Sequence, residues 1–109
     1  MTSPIAGHAT ADGTRRFADR QVADAGRSEA SFRSLDGLTV STIGVGTYLG
    51  DPDDVTDVLY TEAIVEAIGL GINHIDSAIN YRFQRSERAI GESPRRVFAA
   101  GVVDRSEIV

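Results

Sequence analysis

At 109 residues the chain has room for one small domain. Its 11 basic residues are all arginine against 16 acidic ones, giving a net charge of -5 and a pI near 4.8, which excludes the broad basic face that nucleic-acid binders rely on. The absence of cysteine excludes a disulfide framework, a thiolate metal cluster and a cysteine nucleophile.

No stretch approaches the roughly 18 apolar residues of a membrane span, and Gly7, His8, Thr10, Asp12 and Gly13 break up any signal-peptide core. A cytoplasmic protein without membrane or nucleic-acid partners is therefore expected. In residues 1–30 the sizeable apolar side chains after Met1 are Ile5, Phe17 and Val22. That composition predicts a disordered polar tail, because so little apolar surface does not offset chain entropy; a weak amphipathic helix over Arg15 to Ala25 is the alternative reading. The ordered domain is expected over residues 31–109.

Residues 32–35 and 38–41 alternate around Asp36-Gly37, a strong hairpin signal. Residues 42–47 read as a short buried strand running into a loop stopped by Gly50 and Pro52. From 54 to 70, Val55, Val58, Leu59, Ala63, Ile64, Ala67 and Ile68 recur at helical steps, with Asp53, Asp54 or Thr56 as caps and Gly71 as terminator. Six acidic and no basic residues lie between Asp51 and Glu66, a solvated face favourable at a helix N-terminus. Residues 72–76 read as a second strand, Ser86 as the cap of a second helix that Pro94 interrupts or restarts, and Ile108-Val109 as the opening of a third strand.

Strands alternating with helices imply a parallel sheet, whose functional residues gather at the carboxyl ends of its strands. Those ends are Gly46-Thr47-Tyr48 and Asp76-Ser77-Ala78. Gly44, Gly46 and Gly50 only partly resemble a dinucleotide-binding fingerprint, because the third glycine is displaced and no helix opens there. Asp76, ending an apolar strand, is a functional candidate or a loop cap. Tyr81 taken singly reads as packing, His74 as a core histidine, and His8 has no role. Arg82 and Arg85 either charge the mouth of the site or belong to a solvated loop.

Four signatures in series carry a family resemblance: Gly44-Val45-Gly46-Thr47; Gly71-Ile72-Asn73-His74-Ile75-Asp76-Ser77-Ala78; Tyr81; and Ser86-Glu87 followed by Ile90-Gly91. With the preceding hairpin and the terminal Arg105 to Val109, residues 35–109 resemble the N-terminal portion of an aldo-keto reductase. The resemblance implies an α/β fold, an incomplete (β/α)₈ TIM barrel consisting of the bottom hairpin and about two βα units, since a whole barrel takes about 250 residues. It implies reduction of aldehyde or ketone carbonyls by NADPH or NADH with an Asp, Tyr, Lys, His tetrad. Asp76 and Tyr81 match its first two members as catalytic residues, and Gly46, Thr47, Tyr48 and Asp76 match positions at the nicotinamide end of NADP.

Ser77 and Gln84 depart from the usual threonine and glycine of that pattern, and no lysine occurs in the sequence. By this resemblance the lysine and histidine of the tetrad lie beyond Val109. The isolated chain is therefore expected to be an inactive oxidoreductase fragment, with unpaired strand edges that favour self-association. A non-catalytic α/β interaction module and a Rossmann-type half are the alternative readings.

Overall fold

The computed structural model describes residues 6–101 and 103–109; Met1 and Ile5 of the predicted tail lie outside them. The first finding corrects the reading of residues 1–30 as disordered, because Ala11–Ala25 form a helix, α1. Thr10 caps it by accepting from the Gly13 amide at 2.9 Å, and Gly26 ends it at φ +69°, a conformation glycine adopts without penalty. Phe17 is fully buried, edge-on to Phe32 with centroids 6.2 Å apart.

Tertiary contacts make this polar helix stable. Arg20 forms a salt bridge with the buried Glu107 at 2.5 Å, and Arg16 reaches Glu107 at 3.4 Å and Asp104 at 2.9 Å. A Cβ on Gly13 would lie 2.4 Å from the Ser106 carbonyl, so only glycine lets the helix approach that closely. The buried Thr14 hydroxyl accepts from the Thr39 amide at 2.9 Å and donates to the Thr10 carbonyl. Composition misses all this because the partners of α1 are distant in sequence and mostly polar.

A 3-10 turn, Glu29–Ser31, leads into the antiparallel hairpin of β1 (Phe32–Leu35) and β2 (Leu38–Ser41). Its turn residues Asp36 and Gly37 have φ +50° and +82°, the left-handed pair that matches strand twist. Next come β3 (Val45–Gly46), α2 (Asp54–Gly69), β4 (Ile75–Asp76), α3 (Arg85–Ala99) and a 3-10 turn, Arg105–Glu107. The order follows the sequence expectation, with shorter strands. β3 and β4 pair in parallel, Val45 opposite Ile75 and Gly46 opposite Asp76.

On the other side of β4, Ile75 donates to the Val109 carbonyl at 3.0 Å and Val109 donates to the Asn73 carbonyl at 2.8 Å. That is one step of a parallel ladder, so the segment anticipated as a third strand begins alongside β4, on the side away from β3.

In α2, Thr61, Ile64 and Ile68 face inward while Val55, Val58 and Leu59 stay 71%, 53% and 59% exposed. The apolar stripe is wider than the surface α3 offers it. The buried core gathers Phe17, Ile64, Ile68, Val97, Val103 and Ile108. Gly71, at φ +102°, ends the helix, with the Ile72 amide returning to the Ala67 carbonyl at 3.0 Å. α3 runs unbroken through position 94, where an interruption is expected, and begins at Arg85, so Ser86 is not its cap. Packing on α2 carries α3 past the proline; the buried Ser93 hydroxyl donates to the carbonyls of Ala89 at 2.7 Å and Thr61 at 3.3 Å.

Asn73 joins the parts. Fully buried, its Nδ2 donates to the carbonyls of Thr39 and Glu107, each at 3.1 Å, and its Oδ1 accepts from the Ser41 amide at 2.8 Å. Its own amide donates to Ser41 Oγ at 3.1 Å. Asn73→Ala strands three buried groups at about 1 kcal/mol or more each, so denaturant unfolding is expected to show a loss of about 3 kcal/mol or more. Asp53 caps α2, and hydrogen bonds from Thr56 hold its carboxyl below the usual range. A depressed pKa stabilises above the unfolded value of about 3.9, and the gain disappears as pH falls through the folded pKa. The unfolding midpoint should drop in that window, and Asp53→Asn, which keeps the cap oxygen, should flatten the drop.

Candidate active site at the strand ends

The parallel pair puts Gly46 beside Asp76, so the following residues leave the sheet together. Thr47 is fully buried; its Oγ1 donates to the Asp76 carbonyl at 2.9 Å, while its own carbonyl accepts from Ser86 Oγ at 2.5 Å. This threonine ties both strand ends to the first turn of α3. Tyr48 is 67% exposed and meets the half-buried Tyr81 edge-on, ring centroids 5.1 Å apart and planes at 71°. Gly46, Thr47, Tyr48, Asp76 and Tyr81 thus belong to one set of touching or paired segments.

Asp76 is exposed, and its carboxylate has no hydrogen bond or ion pair among the described residues. It does not cap its loop, the plain alternative for an aspartate there. His74 is half-buried, with its ring against Gly44, where an added Cβ would stand 3.3 Å from Nδ1. His8 is exposed in the N-terminal segment. No group of three or more His, Asp or Glu side chains among the described residues could hold a metal.

Arg82 departs from both readings of its loop. Its side chain is 1% exposed and pairs with Asp57 at 2.6 Å; Nε donates to the Asp51 carbonyl at 3.0 Å, and the guanidinium carbon lies 4.8 Å from the Tyr60 ring centroid. Arg85 bridges Asp54 at 3.0 Å and Asp57 at 2.7 Å. The acidic start of α2 is therefore a receptor for the next loop's arginines as well as a solvated face. The signal was the complementary charge of two segments, one lacking bases and the other carrying Arg82 and Arg85. Removing one partner of so buried a pair is costly, about 3 kcal/mol or more, because a charge is left without compensation.

The nicotinamide end of a dinucleotide fits some of these residues. An added Cβ at Gly46 meets nothing within 4 Å, so open space adjoins the strand end, and Tyr48 offers an exposed ring beside it. The Thr47 hydroxyl is committed to Asp76, which leaves Thr47 a framework role. The phosphates find no such fit, since Arg82 and Arg85 are engaged by aspartates and α2 opens with an acidic first turn.

Curated relatives match most of the chain. It is 35% identical over 79 residues to aldose reductase C of Dictyostelium discoideum, covering 72% of this chain and 22% of that protein. It is 41% identical over 73 residues to aldo-keto reductase family 1 member D1 of Rattus norvegicus, covering 67% and 21%. To estradiol 17 beta-dehydrogenase 5 of Mus musculus it is 36% identical over 80 residues, covering 73% and 23%. The chain spans about a fifth of the length of the curated relatives it matches. No family model matches it, and no solved structure does.

Thr47→Val keeps the shape and removes the hydroxyl. Since it deletes one buried hydrogen bond, a stability loss of about 1 kcal/mol is expected in denaturant melts, with faster amide exchange at Asp76 and Ser77.

Proposed function

The matched part of the chain is an aldo-keto reductase fragment, and from that premise we propose that it supplies the first strand-helix units of an NADPH-dependent (β/α)₈ barrel enzyme that reduces small aldehydes or ketones in the cytoplasm. The observation that carries the reading is the meeting of Tyr48 and Tyr81 at 5.1 Å, beside the Gly46–Asp76 pair, at the carboxyl ends of parallel strands. That is where such sheets keep their chemistry.

In this reading Tyr81 donates a proton from its hydroxyl to the carbonyl oxygen of the substrate. A phenol of pKa about 10 is a poor acid at neutral pH, and a neighbouring cation favours its ionisation. Asp76, with its carboxylate free, holds and orients that cation, which this sequence does not supply because it has no lysine. Tyr48 packs on the Tyr81 ring and, with Gly46, borders the space for the nicotinamide end; Thr47 keeps the two strand ends in register. When bound, the cofactor supplies the hydride.

Among the described residues no cation pairs with Asp76 and the arginines of the neighbouring loop are engaged by aspartates, so in this reading the 109-residue chain alone is inactive. It also carries an open β3 edge and the exposed Val55, Val58 and Leu59 of α2, which favour self-association.

The purified chain should show no steady NADPH oxidation on a panel of aldehydes. A relative's barrel in which residues 35–109 replace the matching segment should turn over, with Tyr81→Phe lowering kcat about 100-fold or more and Asp76→Asn impairing it as well. Undiminished turnover in both variants would remove the two residues from catalysis. Sedimentation of the chain alone should show oligomers, and a strictly monomeric species would count against the open-edge reading.

A further inference from the structure

Arg82, Phe83 and Gln84 have φ values of +49°, +57° and +70°. Three successive non-glycine residues in the left-handed region are disfavoured by Cβ–carbonyl crowding, and such a run persists only where surrounding contacts hold it. No side chain caps the helix that follows, for Gln84 is its N-cap residue and makes no capping bond. Local sequence therefore does not explain the turn. A distant contact does.

The Arg82 guanidinium points inward onto the start of α2, bonded to the Asp57 carboxylate and the Asp51 carbonyl, with Nη2 also 3.5 Å from the Asp53 carbonyl. It stacks on Tyr60, whose hydroxyl in turn donates to the Leu49 carbonyl. Leu49 follows Tyr48, and Tyr81 precedes Arg82. The two rings that meet at the site are thus each one residue from a backbone held by the same Arg82–Tyr60 unit.

We propose that Arg82 is a positioning residue: its buried guanidinium clamps the loop after β4 to the loop after β3 and thereby sets the contact between Tyr81 and Tyr48. The left-handed run is the consequence, because bringing Arg82 inward while Tyr81 stays at the strand end reverses the chain within three residues. Phe83, 78% exposed, is turned outward by the same reversal. The inference rests on the proposed function for its catalytic meaning, but the geometry it asserts is independent of any turnover.

NMR of the full 109-residue chain with ring-labelled tyrosine tests it. The wild-type chain should show nuclear Overhauser contacts between the Tyr48 and Tyr81 rings. In Arg82→Ala those contacts should vanish and the Tyr81 and Arg85 amides, bonded to Ala78 and Arg82 carbonyls, should exchange about tenfold faster or more. The Thr39, Ser41 and Val109 amides, remote from the clamp, should change less than about twofold. Arg82→Lys should not rescue the ring contacts, since a lysine has no planar fork to span Asp57 and the Asp51 carbonyl. Should Arg82→Ala fail to fold, Asp57→Asn, which removes the charge and keeps an acceptor, is read by the same signals and should weaken the ring contacts.

Ring contacts preserved in Arg82→Ala, or in Asp57→Asn where the alanine variant does not fold, would overturn the proposal, as would their restoration by lysine. A purely stabilising role would lower the melting point with the ring contacts intact. Loss of ring contacts in the chain with Tyr81→Phe harmless in the hybrid barrel would sink the catalytic reading and leave the clamp standing.

Discussion

The buried amide of Asn73 is the interaction on which the arrangement depends. A side-chain amide has two donors and an acceptor with two lone pairs, and here both donors and the acceptor serve backbone groups of segments that share no regular pairing. The hairpin, the strand that ends in Asp76 and the turn before Val109 are joined at one residue. An apolar residue of the same size could fill the space and would leave three polar groups dry, so the join is specific as well as strong. Its direction matters for function. It fixes the amino-terminal side of β4, and two residues later the chain enters the strand whose far end bears Asp76.

Much of this was legible in advance where the signal is local. The Asp36-Gly37 hairpin, the span of α2, the parallel strand order and the meeting of Gly46 and Tyr48 with Asp76 follow from turn chemistry, periodicity and a strand-end rule, whereas Tyr81 is singled out by the family resemblance alone. Long-range polar contacts were not legible. Residues 11–25 look too polar to fold because the count of apolar residues ignores Glu107, Asp104 and the Thr39 amide. Ser86 looks like a helix cap and instead serves the Thr47 carbonyl. Arg82 looks like a surface charge and is among the most buried side chains near the site. In each case a polar group is satisfied by a partner tens of residues away, and pattern reasoning has no term for that.

The two ends of the parallel strands are built differently. At the amino end, hydrogen bonds and ion pairs tie α1 to the hairpin and to the Arg105–Glu107 turn. At the carboxyl end, the Asp76 carboxylate and the Tyr48 ring stand exposed, and the left-handed run at 82–84 is held by contacts made elsewhere. Stability concentrated at one end leaves the other to carry exposed and strained groups.

The docking of α1 has a consequence for how the chain comes to fold. Its ion pairs and hydrogen bonds to Asp104, Ser106 and Glu107 join residues 87 to 91 positions apart, among the longest loops this chain can close. During synthesis α1 meets Phe32 and the Thr39 amide once the hairpin has emerged, but its ion pairs wait for Asp104 to Glu107, so the docking of the helix stays incomplete until the last residues of the chain are made. The loop-closure entropy of these longest contacts is then paid late, and the interval before it is when the nascent chain is most exposed to aggregation.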